Sequence, residues 1–279
     1  MEKQNNFCCC TMALGENYCA LALELAKDLE KHSPDIPLVV LTDSPKYFKS
    51  QSNVLAFKHH QVSFGCYHDK RFAIAKAISL FNSCLFLDAD MRILAPIPLN
   101  IKWQPGITAK IVWKDITKHN KNPFELKLLH QMANKLSLKL EDIDFVHECL
   151  FVVTRDSGLE LEFLNYWGKI APYFELRGFY RGEGHTIGLA AAKVGLPIRR
   201  DAMNEIVFFK DKLELQAIKR GEANPLDTAE YFEKQRSLEY PTRSIINKAL
   251  NKVKTSYYNL YRLLNLLTIT MMDLRFYGR

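Results

Sequence analysis

The sequence lacks the spacings that mark metal modules, and it lacks an apolar run of membrane-spanning length. None of its seven cysteines and eight histidines forms a Cys-x-x-Cys or His-x-x-x-His pattern, which argues against a zinc site. No segment approaches the about 20 apolar residues of a spanning helix. The apolar run at residues 7–14 also lacks the flanks of a leader peptide. We therefore expect a cytoplasmic protein with reduced, mostly buried thiols.

The positive charge is concentrated at one end of the chain. The formal net charge is +7, and residues 240–279 carry seven basic residues against one acid, a net charge of +6. The other 239 residues are therefore almost neutral. Because no basic patch marks this main part of the chain, we expect no nucleic-acid partner.

Two acids follow an apolar run in the middle of the first half. Leu85 to Leu87 indicate a buried strand, and Asp88, Ala89 and Asp90 come directly after it. Strand alternation places both carboxylates on one side of the backbone at the strand end. One interpretation is a divalent cation held by oxygen ligands and shared with a phosphate. The other is a strand-end turn whose acids cap a helix or pair with Arg92.

The elements around the acid pair alternate in type. Apolar runs at residues 7–12, 36–42 and 53–57 are typical of strands, and helical patterns follow the first and precede the acid-ended strand. This alternation within about 90 residues predicts a parallel sheet in an α/β fold.

This order, together with the motifs at Cys10 to Tyr18 and at Asp88 to Asp90, resembles the GT-A glycosyltransferases. The resemblance is closest to the family 8 group, which includes glycogenin and bacterial lipooligosaccharide galactosyltransferases. It covers residues 7–98 and weakens through residue 205. It implies a Rossmann-like, mixed, mostly parallel sheet flanked by helices, with a helical C-terminal extension. The expected division is a nucleotide-sugar half (1–98), an acceptor half of the same compound domain (99–210) and the extension (211–279).

The resemblance assigns roles to residues of the first half. It implies a nucleotide-sugar donor, with UDP as the expected nucleotide, and Mn²⁺ or Mg²⁺ bound by Asp88 and Asp90. Asp90 is expected to act in catalysis as well, through the metal and the diphosphate. The expected contacts to the donor come from Met12, Ala13, Leu14, Tyr18, Arg71, Asp88 and Ala89.

The second half is expected to build the acceptor side. Patterns predict strands at 107–113 and 145–153 and helices at 124–136 and from 182 to 194. The resemblance makes Glu183 the candidate catalytic acid that reaches the reacting sugar, and His185 is a weaker candidate, for binding the nucleotide-sugar. Two glycines around Glu183 suggest a flexible loop, although an acid also suits a helix start. His147 is either a polar contact to sugar or a core-edge histidine.

A histidine that would serve as third metal ligand is missing, so more than one interpretation of the metal site and of the function stays open. No histidine follows His185, and residues 206–210 occupy the place of the family's third metal ligand. The metal is then held by the two acids, phosphates and water, or by His185 as a substitute. Retention or inversion of the sugar stays undecided. The alternatives are a catalytically silent protein that binds nucleotide-sugar or a membrane surface and, with less support, a haloacid-dehalogenase-type phosphatase.

The basic C-terminal segment has a helical apolar stripe. Basic residues lie off the stripe and aromatic residues are frequent, which is typical of a helix lying on an anionic membrane surface. Packing against the catalytic part and a coiled-coil homodimer are the other interpretations. The first interpretation gives residues 243–279 a peripheral membrane role and suggests a lipid-linked or other glycan acceptor. The stripe consists of Ile246, Leu250, Val253, Tyr257, Leu260, Leu264, Leu267 and Met271.

Overall fold

The computed structural model describes residues 6–239 and 245–278. Within these ranges the chain forms short and long helices and mostly short strands. The strands are β1 Phe7–Ala13, β2 Leu38–Thr42, β3 Val54–Lys58, β4 Ser83–Leu87, β5 Arg92–Ile93, β6 Gly106–Ala109, β7 Val112–Trp113, β8 Phe145–Val146, β9 Leu150–Thr154, β10 Ile198–Arg200 and β11 Phe208–Phe209. The helices are α1 Glu16–His32, α2 Lys70–Leu80, α3 Ile116–His119, α4 Pro123–Leu136, α5 Leu159–Glu175, α6 Glu183–Val194, α7 Asp211–Lys219, α8 Ala229–Glu239, α9 Ile245–Met272 and α10 Leu274–Tyr277.

The described residues fall into two compact units. The first unit contains residues 6–60, 72–103 and 202–239, and the second contains residues 61–71, 104–201 and 245–278. The three-part division of the chain at residues 98 and 210 stays a prediction.

Four parallel strands in the order β4-β1-β2-β3 form the base of the first unit. In the central strand β1, Cys9 aligns with Leu38 of β2 and with Leu85 of β4. Every residue of β2 and β4 is buried, as expected for strands covered on both faces. Helix α1 covers β1 and β2 with an apolar face that includes Leu25 and Leu29. Because all four strands are parallel, their carboxyl ends share one edge of the sheet.

A small antiparallel ribbon returns the chain to this unit after residue 202. Arg92 of β5 pairs with Phe209 of β11, and Ile93 pairs with Phe208. Asp28 of α1 anchors the ribbon, since its carboxylate accepts hydrogen bonds from Arg92 Nε at 2.5 Å and Nη2 at 2.7 Å. Lys210, which follows β11, therefore lies next to Asp90 and Met91, which precede β5.

In the second unit, β6 pairs with β10 in parallel and with β9 in antiparallel. The predicted strands at 107–113 and 145–153 are each divided in two. Their segments have different partners, because β6 pairs with β9 whereas β7 pairs with β8. The predicted continuous strands are therefore corrected to four shorter ones. The α/β class, the mostly parallel pairing, the flanking helices and the helical C-terminal part are confirmed.

The glycines near the start of α6 serve close packing. Helix α6 begins at Glu183, so Gly184 lies inside its first turn and is buried. A Cβ atom at Gly184 would overlap the carbonyl oxygen of Val146, and one at Gly188 would overlap that of Asp144. The expected flexible loop at Gly184 is therefore a buried helical turn packed against the segment of β8.

Helix α9 attaches to the second unit by one face. Tyr258 donates a hydrogen bond to the carbonyl oxygen of Ser63 at 3.0 Å, Arg262 pairs with Glu175, and Leu266 is fully buried. Among the described residues, no helix combines the length and apolar character that crossing a membrane requires. The stripe residues whose burial is described are all exposed: Val253, Tyr257, Leu260, Leu264, Leu267 and Met271.

Candidate functional site

The acid pair lies directly after strand β4, at the carboxyl edge of the four parallel strands. The backbone N–H of Met91 donates to the carbonyl oxygen of Asp88 at 3.0 Å, so the pair lies in a tight turn. The side chains of Asp88 and Asp90 are 22% and 15% exposed, and Ala89 between them is buried. Two carboxylates with so little access to water require a cation nearby.

The cation is Lys210, the residue that follows β11. Its Nζ atom donates hydrogen bonds to both carboxylate oxygens of Asp90. The same atom lies 3.7 Å from Asp88 Oδ2 and 3.8 Å from Asp211 Oδ1. The Lys210 side chain is only 9% exposed. One ammonium group is therefore surrounded by three carboxylates.

The electrostatics of this group keep the ammonium charged. Burial alone works to lower the pKa of Lys210, but the charges of Asp88 and Asp90 outweigh it, and the pKa is raised above its usual value. Burial raises the pKa of the Asp90 carboxyl, against the Lys210 ammonium, which lowers it. Removing one partner from a buried ion pair costs about 3–5 kcal/mol, so each group depends on the other.

Tyr18 lies on the first turn of α1 at the same edge. Its side chain is 45% exposed, and burial of the hydroxyl, followed by the charge of Asp90, raises its pKa to about 12. Asp43 positions this turn, because its carboxylate accepts the backbone N–H of Gly15 at 3.1 Å. Gly15 has a positive φ of 81°, which a residue with a side chain rarely adopts. The structure thus brings Tyr18 near Asp88 and Asp90, with a protonated hydroxyl and an exposed ring.

Met12, Ala13 and Leu14 mark the end of β1. Ala13 is the last residue of the strand and is fully buried, whereas Met12 and Leu14 are partly exposed. This segment of expected donor contacts ends at the same edge of the sheet as the acid pair. Its role in donor binding stays a prediction.

The side chains around the acid pair do not fit Mn²⁺ or Mg²⁺ as they are arranged. Such ions need oxygen ligands at about 2.1 Å, and both oxygens of Asp90 are engaged by the Lys210 ammonium. Within the described ranges, no group of three or more His, Cys, Asp or Glu side chains is arranged to hold a metal ion. A divalent cation at Asp90 would first have to displace Lys210.

In the second unit, the candidate acid Glu183 pairs with a lysine. Glu183 is the first residue of α6 and is 4% exposed, and its Oε1 lies 3.5 Å from Nζ of Lys70. An acid at this position also interacts favourably with the helix N-terminus. Lys70 is itself mostly buried, since only 12% of its side chain is exposed.

Arg71 belongs to a mostly buried charged cluster of the second unit. Its guanidinium lies close to Gly168 of α5, where a Cβ atom would be 2.8 Å from Nη1. Burial lowers the pKa of Arg71, while the nearby Asp69 raises it; the charges of Arg262 and Glu175 also act on it. The predicted contact of Arg71 with donor phosphate or sugar is untested and stays a prediction.

The two candidate histidines differ in their surroundings. His185 is 6% exposed, with its ring centroid 4.9 Å from that of Phe145 and its Nε2 3.5 Å from Asn120 Nδ2. Burial lowers the pKa of His185 to about 3, so its ring is neutral at pH 7. His147 follows β8 and is partly exposed, and its buried Nδ1 has no hydrogen-bond partner among the described residues. Burial among aromatic rings suits His185 to a core position, and in both histidines the buried Nδ1 has no hydrogen-bond partner among the described residues.

Comparison with known proteins adds a distant likeness in structure. No protein-family model matches the chain, and no curated protein matches it. Among solved structures, it is similar to the crystal structure of the galactosyltransferase LgtC in complex with donor and acceptor sugar analogues. The identity is 13%, the match covers 69% of this chain and 72% of that chain, and the TM-score is 0.40. A likeness of this size carries no argument about function, which must be argued from the side chains.

Three positions now matter that sequence reasoning did not select as site residues. Lys210 entered only as the last residue of the segment 206–210, and Lys70 and Asp43 were not among the candidate site residues. A signal was present for Lys210, since it follows a Phe-Phe pair and directly precedes an acid. The pairing of β11 with β5 supplied the missing information.

Proposed function

We propose that this protein is a glycosyltransferase that moves a sugar from a nucleoside diphosphate donor, with UDP as the expected nucleotide, to a glycan or lipid-linked acceptor. The observation that carries the proposal is the mostly buried, cation-paired Asp88 and Asp90 at the carboxyl edge of parallel strands, beside Tyr18. Ligands of open α/β sheets bind at this edge. The sequence resemblance supplies the reaction class.

The proposed donor site has an apolar end and a charged end. The ring of Tyr18 is partly exposed, and we expect it to stack on the base, with the segment from Met12 to Leu14 lining the base and ribose. The acid pair with Lys210 then lies at the ribose and diphosphate. Arg71, His147 and His185 remain predicted contacts of the donor.

The proposed reaction exchanges one bond at the sugar for another. The bond between C1 of the sugar and the β-phosphate oxygen breaks, and its electron pair stays on the nucleoside diphosphate. The acceptor hydroxyl oxygen forms the new bond to C1, and its proton passes to solvent. We propose that Glu183 contacts the reacting sugar, which keeps it apart from diphosphate binding. Whether the configuration at C1 is retained or inverted is left open.

Mn²⁺ or Mg²⁺ remains the expectation that the sequence resemblance carries for Asp88 and Asp90. The hydrogen bonds from Lys210 to Asp90 oppose it. No step of the proposed reaction is therefore assigned to a metal ion.

We also propose that the exposed stripe of α9 lies on an anionic membrane surface. Large apolar side chains along one helix face are exposed, Lys252 beside them is exposed, and the segment from 240 to 279 is strongly basic. In such helices, the burial of apolar side chains and the attraction of basic residues to anionic lipids both contribute to the free energy of membrane binding. Under this proposal the protein is cytoplasmic and peripheral on the inner face of the membrane, near a lipid-linked acceptor. A homodimer through the same stripe is the competing interpretation.

Calorimetric titration with UDP, GDP, CDP and dTDP tests the proposed donor class. We expect UDP to bind, and Tyr18→Ala to weaken binding about tenfold or more because stacking on an aromatic ring is lost. Tyr47→Ala, at another partly exposed tyrosine of the first unit, should leave binding unchanged. If no nucleotide binds, the proposed function is wrong.

Assays with UDP-sugars separate the remaining alternatives. A transferase releases UDP slowly by hydrolysis without an acceptor and faster with one. Nucleotide binding without any turnover would instead support a catalytically silent binding protein. Release of phosphate from a generic phosphate ester would support the phosphatase.

A further inference from the structure

We infer that the Lys210 ammonium takes the place of a divalent cation at the Asp88–Asp90 pair, so that the donor diphosphate binds without metal. This inference rests on the proposed function and concerns the same site. In this inference, Lys210 provides a permanent positive charge that belongs to the chain itself.

The backbone itself carries Lys210 to the acid pair. Strand β11 pairs with β5 so that Phe209 aligns with Arg92, two residues after Asp90. Lys210, the next residue after Phe209, is thereby brought level with the turn that holds the acids. The hydrogen bond from Leu94 N to the carbonyl oxygen of Val207, at 2.9 Å, extends the same ribbon. The position of Lys210 therefore follows from strand register rather than from a flexible side chain finding an acid.

The contacts of the ammonium match the position of a shared cation. Lys210 Nζ donates to both oxygens of Asp90 and lies within ion-pair distance of Asp88 and Asp211. Asp211 is the first residue of α7, so the helix N-terminus also compensates its charge. An ammonium has three N–H donors, and Asp90 uses two of them.

A fixed ammonium supplies the electrostatic help that departure of the diphosphate needs. Breaking the C1–oxygen bond places negative charge on the β-phosphate, and a preorganised positive group stabilises that charge. Lys210 carries one positive charge where Mn²⁺ would carry two, and the three carboxylates around it offset its attraction for a diphosphate. Diphosphate binding should therefore be weaker than with a metal and sensitive to salt, but independent of chelators.

Binding of UDP in excess EDTA and in MnCl₂ tests the inference, using the full-length protein. We expect the wild type to bind UDP with the same affinity, within about threefold, in both conditions. Lys210→Met should lose at least about tenfold in EDTA, and Lys210→Arg should retain most of the affinity. Lys234→Met is the matched control, because Lys234 forms an ion pair with Glu24 elsewhere in the first unit.

A second measurement does not depend on nucleotide or activity. Titration of Mn²⁺, followed by electron paramagnetic resonance of the free ion, should show at least about tenfold tighter binding to Lys210→Ala than to the wild type, since the acids are then released. Circular dichroism verifies folding, and Lys210→Met/Asp90→Asn removes both buried charges if the single variant fails to fold. In that double variant, UDP binding in EDTA should be as weak as expected for Lys210→Met.

The outcomes separate this inference from the proposed function. UDP binding by the wild type only with Mn²⁺ would overturn the inference and leave the transferase proposal intact. Equal UDP affinity of wild type and Lys210→Met in EDTA would make Lys210 purely structural and overturn it too. Failure of all four nucleotides to bind in both conditions would overturn the proposed function and this inference with it.

Discussion

The guanidinium of Arg262 lies against the carboxylate of Glu175, and both side chains are almost completely buried. Arg262 Nε donates to Glu175 Oε2 at 3.0 Å, while Glu175 Oε1 accepts the backbone N–H of Phe64 at 2.7 Å. One carboxylate thus connects α9, α5 and the segment before α2 within the second unit. The pair is the charged centre of the face by which α9 attaches.

We predict that Arg262→Met lowers the free energy of unfolding by about 3–5 kcal/mol, because it leaves Glu175 buried without its cation. Glu175→Gln keeps an acceptor for Phe64 but loses the charge. The double variant Arg262→Met/Glu175→Gln should therefore be less destabilised than the sum of the two single variants. Urea denaturation of all four proteins completes this cycle. The prediction would be contradicted if the loss of unfolding free energy in the double variant equalled the sum of the two single-variant losses within about 0.5 kcal/mol.

Acid should destabilise the second unit through His68. This ring is buried, its Nδ1 accepts the Trp167 indole N–H at 3.1 Å, and burial lowers its pKa to about 3. Between about pH 6.5 and pH 3 the unfolded chain binds a proton there that the folded chain does not. The free energy of unfolding should therefore fall by about 1.4 kcal/mol per pH unit across this window, from this residue alone.

The variant His68→Gln isolates this contribution, because its amide oxygen still accepts from Trp167 but does not titrate. We expect its unfolding free energy to vary less steeply between pH 6 and pH 4 than that of the wild type. His130→Gln, at an exposed position of the same unit, should leave the slope unchanged. Equal slopes in wild type and His68→Gln would show that His68 takes up its proton in the folded state.

The contact of α6 with the segment before β8 should not tolerate a methyl group. A Cβ atom at Gly188 would overlap the carbonyl oxygen of Asp144, so we expect Gly188→Ala to cost about 3 kcal/mol or more. Gly195→Ala is the control: its φ of 73° is unfavourable for alanine, but no atom lies within 4 Å of the new Cβ. That change should cost about 1 kcal/mol. Thermal unfolding followed by circular dichroism compares them, and equal losses would mean that the backbone yields at Gly188.

Glu183→Gln should impair transfer more than nucleotide binding. The proposed partner of Glu183 is the sugar, and a charge-assisted hydrogen bond is worth about 1.5–3 kcal/mol, so turnover should fall roughly 10- to 100-fold. UDP affinity measured by calorimetry should change little. Glu141→Gln, at an exposed site of the second unit, serves as the control. Unchanged turnover in Glu183→Gln would contradict the catalytic role, and Glu183 would then have only a structural role through Lys70 and the N-terminus of α6.

Charges placed on the stripe of α9 should release the protein from membranes. Each buried leucine contributes about 1.5–3 kcal/mol, so Leu260→Glu and Leu264→Glu should each weaken sedimentation with phosphatidylserine vesicles by about tenfold or more. Leu215→Glu changes an exposed leucine of α7 and should have no effect. Vesicle binding that ignores both stripe substitutions would contradict the membrane interpretation. A shift from dimer to monomer in sedimentation velocity would instead favour the homodimer.

Local patterns predicted the features that depend on neighbours in sequence. The apolar run before Asp88 predicted β4 and its end, and the spacing of apolar residues predicted the helix of α9. Periodicity could not say which face of α9 would be buried. The apolar stripe that includes Leu260 is exposed, whereas the face with Arg262, predicted to lie off the stripe, attaches to the second unit. The buried acid that makes this possible, Glu175, is 87 residues away in sequence.

The candidate site shows the same limit. The acid pair and Tyr18 could be predicted because each belongs to an element with a recognisable end. Lys210 could not, because its side chain resembles any lysine until β11 pairs with β5. Similarly, two glycines beside Glu183 predict flexibility in a loop, and only the proximity of Val146 shows that Gly184 permits close packing.

The contact between Asp90 and Lys210 joins residues that are 120 positions apart. Closing a loop of that length costs conformational entropy before any contact across it is formed, and such non-local pairings slow folding. The four parallel strands of the first unit draw only on residues 7–87, so they do not require this closure. The acid pair should thus acquire its cation late in folding, and a nascent chain that has not yet extended past Phe209 would hold two uncompensated carboxylates at the sheet edge.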